Sequence, residues 1–217
     1  MDWQSWHENY RSFSPLQLRL EEVCQQVTEA INAVAPSRVQ VLSLCAGDGR
    51  DLLKALQSGH TSKEVDATLI ELDPGLVEQG RKAFAEHGLS DSVQFRCADA
   101  TSFATYQGLP KADIVMVCGV FGNVRGPHVQ QLIFSLKAFC RQGARVIWTR
   151  SLNEFDDGET AAQEIRGWFA QAGFQETVFT RTPEGTFAVS SVAYGAEQTP
   201  LPSTGRMFEF SAFWEVH

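Results

Sequence analysis

The sequence predicts an open, doubly wound α/β domain. From residue 38 onward, short β-branched runs alternate with stretches of helical period, the rhythm of strand–helix–strand units joined by right-handed crossovers. The strand candidates are near-continuous apolar runs rather than alternating ones, as in a parallel sheet covered on both faces. The helix candidates carry their apolar residues on one stripe, as helices lying on a sheet require.

The elements follow in order. Residues 39–44 form a first strand and 50–57 a helix; 67–72 a second strand and 74–86 a helix; 93–97 a third strand, with a short helix near 102–106. Residues 113–118 form a fourth strand, 127–140 a helix, 145–149 a fifth strand and 160–172 a helix. The helix from 127 has a clear start, because Gly126 caps it and Pro127 fits a first position whose missing N–H costs nothing. Its apolar stripe is Val129, Leu132, Ile133, Leu136 and Phe139. Ahead of this unit, residues 14–35 form a helix with Leu16, Leu20, Val23, Val27 and Ile31 on one side, preceded by an aromatic segment. After Phe174 the chain turns β-rich, with strands at 176–180, 186–194 and 206–216. No linker divides the chain, so 1–37 is an extension packed on a 38–217 α/β core, a single domain overall.

Composition narrows the partners. The 217 residues carry a net charge of −8, from 18 basic and 26 acidic side chains, with no dense Lys/Arg run. A nucleic-acid duplex or an anionic membrane, which needs clustered cations, is therefore disfavoured. The opening residues lack a basic and an apolar region, so no secretory signal is expected, and no apolar run is long enough to span a bilayer. Five scattered cysteines (24, 45, 97, 118 and 140), none in a CxxC pair, predict reduced thiols, a cytoplasmic location and no zinc site. No metal is expected, because no His/Asp/Glu cluster has ligand spacing.

In open α/β sheets, ligands bind outside the carboxyl ends of the strands. At the first such end, "VLSLCAGDGRDLL" thins to Cys45, Ala46, Gly47 and Gly49, which leaves backbone open to close approach ahead of a helix N-terminus. The second strand ends in "LIELDP", placing Glu71 where a carboxylate accepts hydrogen bonds from both hydroxyls of a ribose. The third ends in "CADA", offering Asp99 beside Ala100, a carboxylate suited to an exocyclic amine such as that of adenine. The fourth ends in "CGVFGN", again small residues opening onto a loop. Together the four ends predict a nucleoside pocket.

On these motifs the chain resembles class I S-adenosylmethionine-dependent methyltransferases over roughly residues 38–175. The resemblance implies a Rossmann-like doubly wound, mostly parallel seven-stranded sheet, an antiparallel C-terminal strand and an N-terminal helical extension. It also implies S-adenosylmethionine as cofactor. The turn of Cys45, Ala46, Gly47 and Gly49 would pass beneath the methionine part, Glu71 would hold the ribose, and Asp99 with Ala100 would face the adenine. Leu72 would pack on the ring, and Cys118 and Gly119 would line the thioether side. Asp73 is instead a helix cap ahead of Pro74. The chain departs from the family pattern at Ser43, where an acid is usual, and at Cys45, where a glycine is usual; Asp48, Asp51 or a water would then hold the cofactor's amino group.

The resemblance names no acceptor; a small molecule, methylated by in-line transfer, is expected. His7, between Trp6 and Tyr10, is the candidate base, since imidazole titrates near neutral pH; the alternative is that Trp3, Trp6 and Tyr10 only dock the first helix. Phe121 and Asn123 follow the fourth strand toward the acceptor, the alternatives being a core ring and a turn residue before Gly126; Arg150, ending "VIWTR", could bind an anionic acceptor or form a surface salt bridge. His128 reads as surface, and Cys45, Cys97 and Cys118 as small core filler. The fourth strand lacks the Asn/Asp-Pro-Pro-aromatic signature of amino-group methylation. Two rivals stay open: an aminopropyltransferase, although "CGVFGNVRG" lacks the acids a polyamine needs, and a non-catalytic S-adenosylmethionine-binding protein, favoured by Ser43 and Cys45. A nicotinamide oxidoreductase is disfavoured because "AGDGRDL" lacks the third glycine of GxGxxG.

Overall fold

The computed structural model describes residues 14–61, 63–124, 126–153 and 158–211. Chain order runs α1 (Pro15–Ala33), β1 (Arg38–Leu44), α2 (Arg50–Gln57), β2 (Glu64–Glu71), α3 (Pro74–Glu86) and β3 (Val93–Cys97). A short 3₁₀ turn (Phe103–Tyr106) precedes β4 (Ala112–Val117), α4 (Pro127–Leu136), β5 (Cys140–Ser151), α5 (Gly158–Gln171), β6 (Phe174–Arg181) and β7 (Phe187–Tyr194). The seven strands form one sheet in the order β3-β2-β1-β4-β5-β7-β6. The first five are parallel, and β7 runs antiparallel to both β5 and β6. This is the Rossmann-like, mostly parallel architecture that the alternation predicts.

Successive strand residues serve opposite faces, so apolar runs such as Val41-Leu42, Ile114-Val115 and Ile147-Trp148 split between two cores. One face is covered by α1, α2 and α3 through Val23, Val27, Ile31, Leu52, Val77 and Phe84. The other is covered by α4 and α5 through Leu132, Ile133, Leu136, Ile165 and Phe169, together with Met207 and Phe208 of the C-terminal segment. Its centre is aromatic: Trp148 stacks on Phe169 with centroids 5.9 Å apart.

Local chemistry sets the helix starts. Ser14 caps α1 by accepting from Gln17 N at 3.1 Å, with Pro15 in the first turn. Asp73 caps α3 by accepting from Gly75 N and Leu76 N at 2.7 and 3.1 Å, which is the capping role expected of it. Gly126 and Pro127 open α4 as predicted, but α4 ends at Leu136 instead of running to 140. The Phe139 carbonyl accepts from Ala112 N at 2.8 Å, and Cys140 already pairs with Ala112, so the sheet claims this stretch. A register shift between Ala112 and Ile114 then lets β5 begin five residues earlier than expected.

The predicted strand at 206–216 is a second correction. Arg206 and Phe210 each make one antiparallel bridge, to Ser102 and Val124, and residues 212–216 lie outside the described set. The segment crosses the strand ends instead of lying in the sheet, its backbone bonding to the loops after β3 and β4. Among the described residues, no helix is long and apolar enough to cross a membrane.

Helix α3 approaches the β1–α2 turn closely at Gly80. A Cβ there would lie 2.8 Å from the Asp48 carbonyl oxygen and nearer still to the Phe95 ring. Gly80→Ala is expected to lower stability by about 1–3 kcal/mol, the scale of an overpacked core position, measured by denaturant unfolding.

Candidate active site

The carboxyl ends of β1, β2, β3 and β4 surround one cleft of about 1120 Å³, to which α1, β5, β7 and the C-terminal segment also contribute. Its floor is the β1–α2 turn. Ala46 N donates to the Ile70 carbonyl at 2.9 Å, extending the β1–β2 pairing by one residue. The backbone then winds through left-handed φ at Cys45 (51°), Gly47 (59°) and Gly49 (74°). Such a path keeps the turn flat against the sheet and suits glycine; at Cys45 it strains an ordinary side chain. Gly49 also needs its lack of a Cβ, which would meet Leu69 Cδ2 at 2.5 Å and Phe84 at 2.9 Å. Asp48 does not face a ligand alone: its carboxylate binds Arg50, with Nη2–Oδ2 at 2.6 Å.

Glu71 locks this floor to the next strand. Its Oε2 accepts from Gly47 N at 2.8 Å, and its Oε1 accepts from Leu72 N and Asp73 N at 2.8 and 2.9 Å. Three amide donors fix the carboxylate in the cleft wall, with acceptor capacity remaining on Oε2. Leu72, 64% exposed, offers an apolar surface at the lip. On the third strand end, Asp99 Oδ1 accepts from Thr101 N and Thr101 Oγ1 at 2.9 and 2.7 Å, and its Oδ2 stands 3.3 Å from Arg206 Nη2.

The C-terminal segment straps these loops together. Phe103 N donates to the Gly205 carbonyl at 3.1 Å, Met207 N to Thr101 at 2.8 Å and Ser211 N to Asn123 at 2.9 Å. On the fourth strand end, Gly119 N donates to Thr149 Oγ1 at 2.8 Å, and Asn123 Nδ2 donates to the Gly119 carbonyl at 2.8 Å. Arg19 of α1 crosses this side with its guanidinium 5.7 Å from the Phe187 ring and close beneath Gly119, where a Cβ would lie 3.4 Å from Nη1.

Burial governs the titrating groups. It pushes the Asp51 carboxyl above its ordinary range, against the pull of the Arg19 charge, with Asp48 adding to the rise. It also raises the Cys45 thiol, helped by Glu71 and Asp99, and the Cys118 thiol, helped by Asp51. Both thiols in the cleft are therefore neutral near pH 7 and poor nucleophiles. All five cysteines are free. Among the described residues, no cluster of three His, Cys, Asp or Glu side chains could hold a metal ion.

Of the residues singled out from sequence, the structure brings Cys45, Ala46, Gly47, Gly49, Glu71, Leu72, Asp99, Ala100, Cys118, Gly119, Asn123 and Arg150 to this one cleft. Ser43 and Asp51 line it too. Phe121 is a correction. It is 2% exposed and packs edge-on against Trp148 at 5.9 Å and Phe169 at 6.1 Å, because the turn after β4 drops its side chain onto the α4–α5 face. Trp3, Trp6, His7 and Tyr10 lie outside the described residues. Sequence reasoning missed Arg19, Thr149 and Phe210, all lining the cleft. Arg19 had a signal, since a charged residue three positions after Leu16 and four before Val23 sits inside the apolar stripe of α1.

The doubly wound sheet and the strand-end cleft define a class I methyltransferase architecture. Residues 10–151 match a family described as "Putative methyltransferase", and the chain belongs to that family. A relative, the tRNA 5-carboxymethoxyuridine methyltransferase of Escherichia coli (strain K12), is 25% identical over 121 residues, covering 55% of this chain and 44% of its own length. The chain thus matches less than half of that relative. The fold is shared with an O-methyltransferase family protein from Burkholderia thailandensis (16% identity, TM-score 0.61, 81% of this chain and 57% of that one). It is shared also with an S-adenosylmethionine-dependent methyltransferase from Aquifex aeolicus (14% identity, TM-score 0.58, 84% and 100%).

Glu71→Ala is expected to weaken S-adenosylmethionine binding by about 1–3 kcal/mol in isothermal titration calorimetry, the scale of losing charged hydrogen bonds. A thiol reagent at pH 8 is expected to modify exposed Cys97 first, with Cys24, whose thiol burial pushes up to about 12, reacting only on unfolding; mass spectrometry of the labelled peptides checks the order.

Proposed function

We propose that the protein transfers a methyl group from S-adenosylmethionine to a small-molecule acceptor by in-line displacement. The observation that carries this reading is the Glu71 carboxylate bonded to Gly47 N at 2.8 Å, which joins a ribose-type acid to an open glycine turn within one cleft. The residues present fit the cofactor. Gly47 and Gly49 clear the floor for its tail, Glu71 keeps acceptor capacity for ribose hydroxyls, Leu72 offers a platform for the base, and Asp99 stands at the edge for the exocyclic amine. Arg19 and Asp51, of opposite charge on the α1 and α2 side, suit an amino acid's carboxylate and ammonium. When bound, the cofactor supplies an electrophilic methyl group on a sulfonium sulfur.

The chain's own residues then bind, align and exclude water. The neutral Cys45 and Cys118 thiols are poor competitors for the methyl group. Five free cysteines support a cytoplasmic location. The cleft's size supports one cofactor with a small acceptor beside it. A tRNA acceptor is the second reading, favoured by the Escherichia coli relative's name. The net charge of −8 and the absence of a basic run weigh against it.

S-adenosylmethionine is expected to raise the melting temperature at millimolar concentration. Tritiated methyl groups are then expected to pass to a fraction of small metabolites and not to bulk tRNA. Label in tRNA would favour the second reading, and binding without any turnover would favour a non-catalytic binder.

A further inference from the structure

Arg150, next to last in β5, lines the cleft and is 8% exposed. Its guanidinium stands against the loop that follows β4: a Cβ at Gly122 would lie 3.0 Å from Nη1, so glycine makes room for it there. The other side of the same loop carries Phe210. Val124 bridges to Phe210, and Ser211 N donates to the Asn123 carbonyl at 2.9 Å. Phe210 is held edge-on by buried Phe208, with centroids 5.2 Å apart, yet its ring is 40% exposed and lines the cleft. A buried guanidinium and an open aromatic ring therefore meet the cleft within one short loop of each other.

Three acids of the cleft lie at the ends of β2 and β3. Glu71, Asp73 and Asp99 are committed to backbone donors at the ends of β2 and β3. Asp48, paired with Arg50, and Asp51 lie on the α2 side of the cleft, while Arg19 and Arg150 bring guanidinium groups to its α1 and β5 sides. A planar guanidinium fork recognises a carboxylate with two parallel hydrogen bonds. An apolar ring left open beside it gains from burial against a flat partner. From this juxtaposition we propose that the acceptor is an aromatic carboxylate, its carboxylate held by Arg150 and its ring covered by Phe210. The inference rests on the methyltransferase reading above and adds the substrate class.

The test uses the full chain saturated with S-adenosylhomocysteine, titrated calorimetrically with benzoate and phenylacetate and with their uncharged amides. Each acid is expected to bind at least about ten-fold tighter than its amide, the worth of a charged hydrogen-bond pair. Arg150→Met is expected to bring the acids down to the amides while S-adenosylhomocysteine affinity stays within about two-fold, and Arg150→Lys to restore part of the preference. Phe210→Ala, checked for an unchanged unfolding transition, is expected to weaken acids and amides alike by roughly five-fold. Equal affinity for acid and amide in the unmodified protein overturns the proposal, as does a preference that survives in Arg150→Met. No binding of either acid at about 10 mM, with the nucleoside bound, overturns it too. Failure of S-adenosylhomocysteine itself to bind removes the methyltransferase reading first, and this inference with it.

Discussion

The structure depends on one carboxylate. Glu71 takes hydrogen bonds from Gly47, Leu72 and Asp73, and so holds the β1–α2 turn, the end of β2 and the cap of α3 in a single arrangement. Each of these amides would otherwise face solvent or a ligand at a strand end, where no sheet partner remains. The same carboxylate keeps acceptor capacity toward the cleft, so under the proposed function the group that shapes the floor would also read the ribose. Positive φ at Cys45, Gly47 and Gly49 is the complement of this constraint, because only a turn so wound brings the Gly47 N–H around to the acid.

The sheet order makes the cleft possible. Chain order reverses between β1 and β4, so the connections from those strands diverge to opposite faces and leave a gap above their ends. Helix α1 and β7 close one side of that gap, and the C-terminal strap closes the other. By bonding to Phe103, Thr101 and Asn123 it joins the loop after β3 to the loop after β4, and it brings Phe210 to the opening.

The differences from expectation have physical causes. Helix α4 stops early because a β4 amide takes the Phe139 carbonyl, an outcome of sheet pairing that helical period alone does not register. Phe121 points into the core because a tight turn, unlike a strand, has no fixed side-chain alternation. The segment from Arg206 has strand-like composition, but its backbone bonds to Thr101 and Asn123 in the strand-end loops, and it docks there instead of in the sheet.

Much of this protein was legible from residue order. The strand–helix alternation, the small residues of the first turn and the acids at positions 71 and 99 are local features, set by neighbours within a few positions. Period and composition report such features directly. What only the tertiary structure decided is which distant groups share the cleft. Arg19, Thr149, Arg150 and Phe210 come from four separate parts of the chain, and their meeting depends on sheet order, on the packing of α1 and on the path of the last described residues. No local pattern encodes that meeting, because a side chain's company across the fold is fixed by long-range packing and not by the residues beside it in sequence.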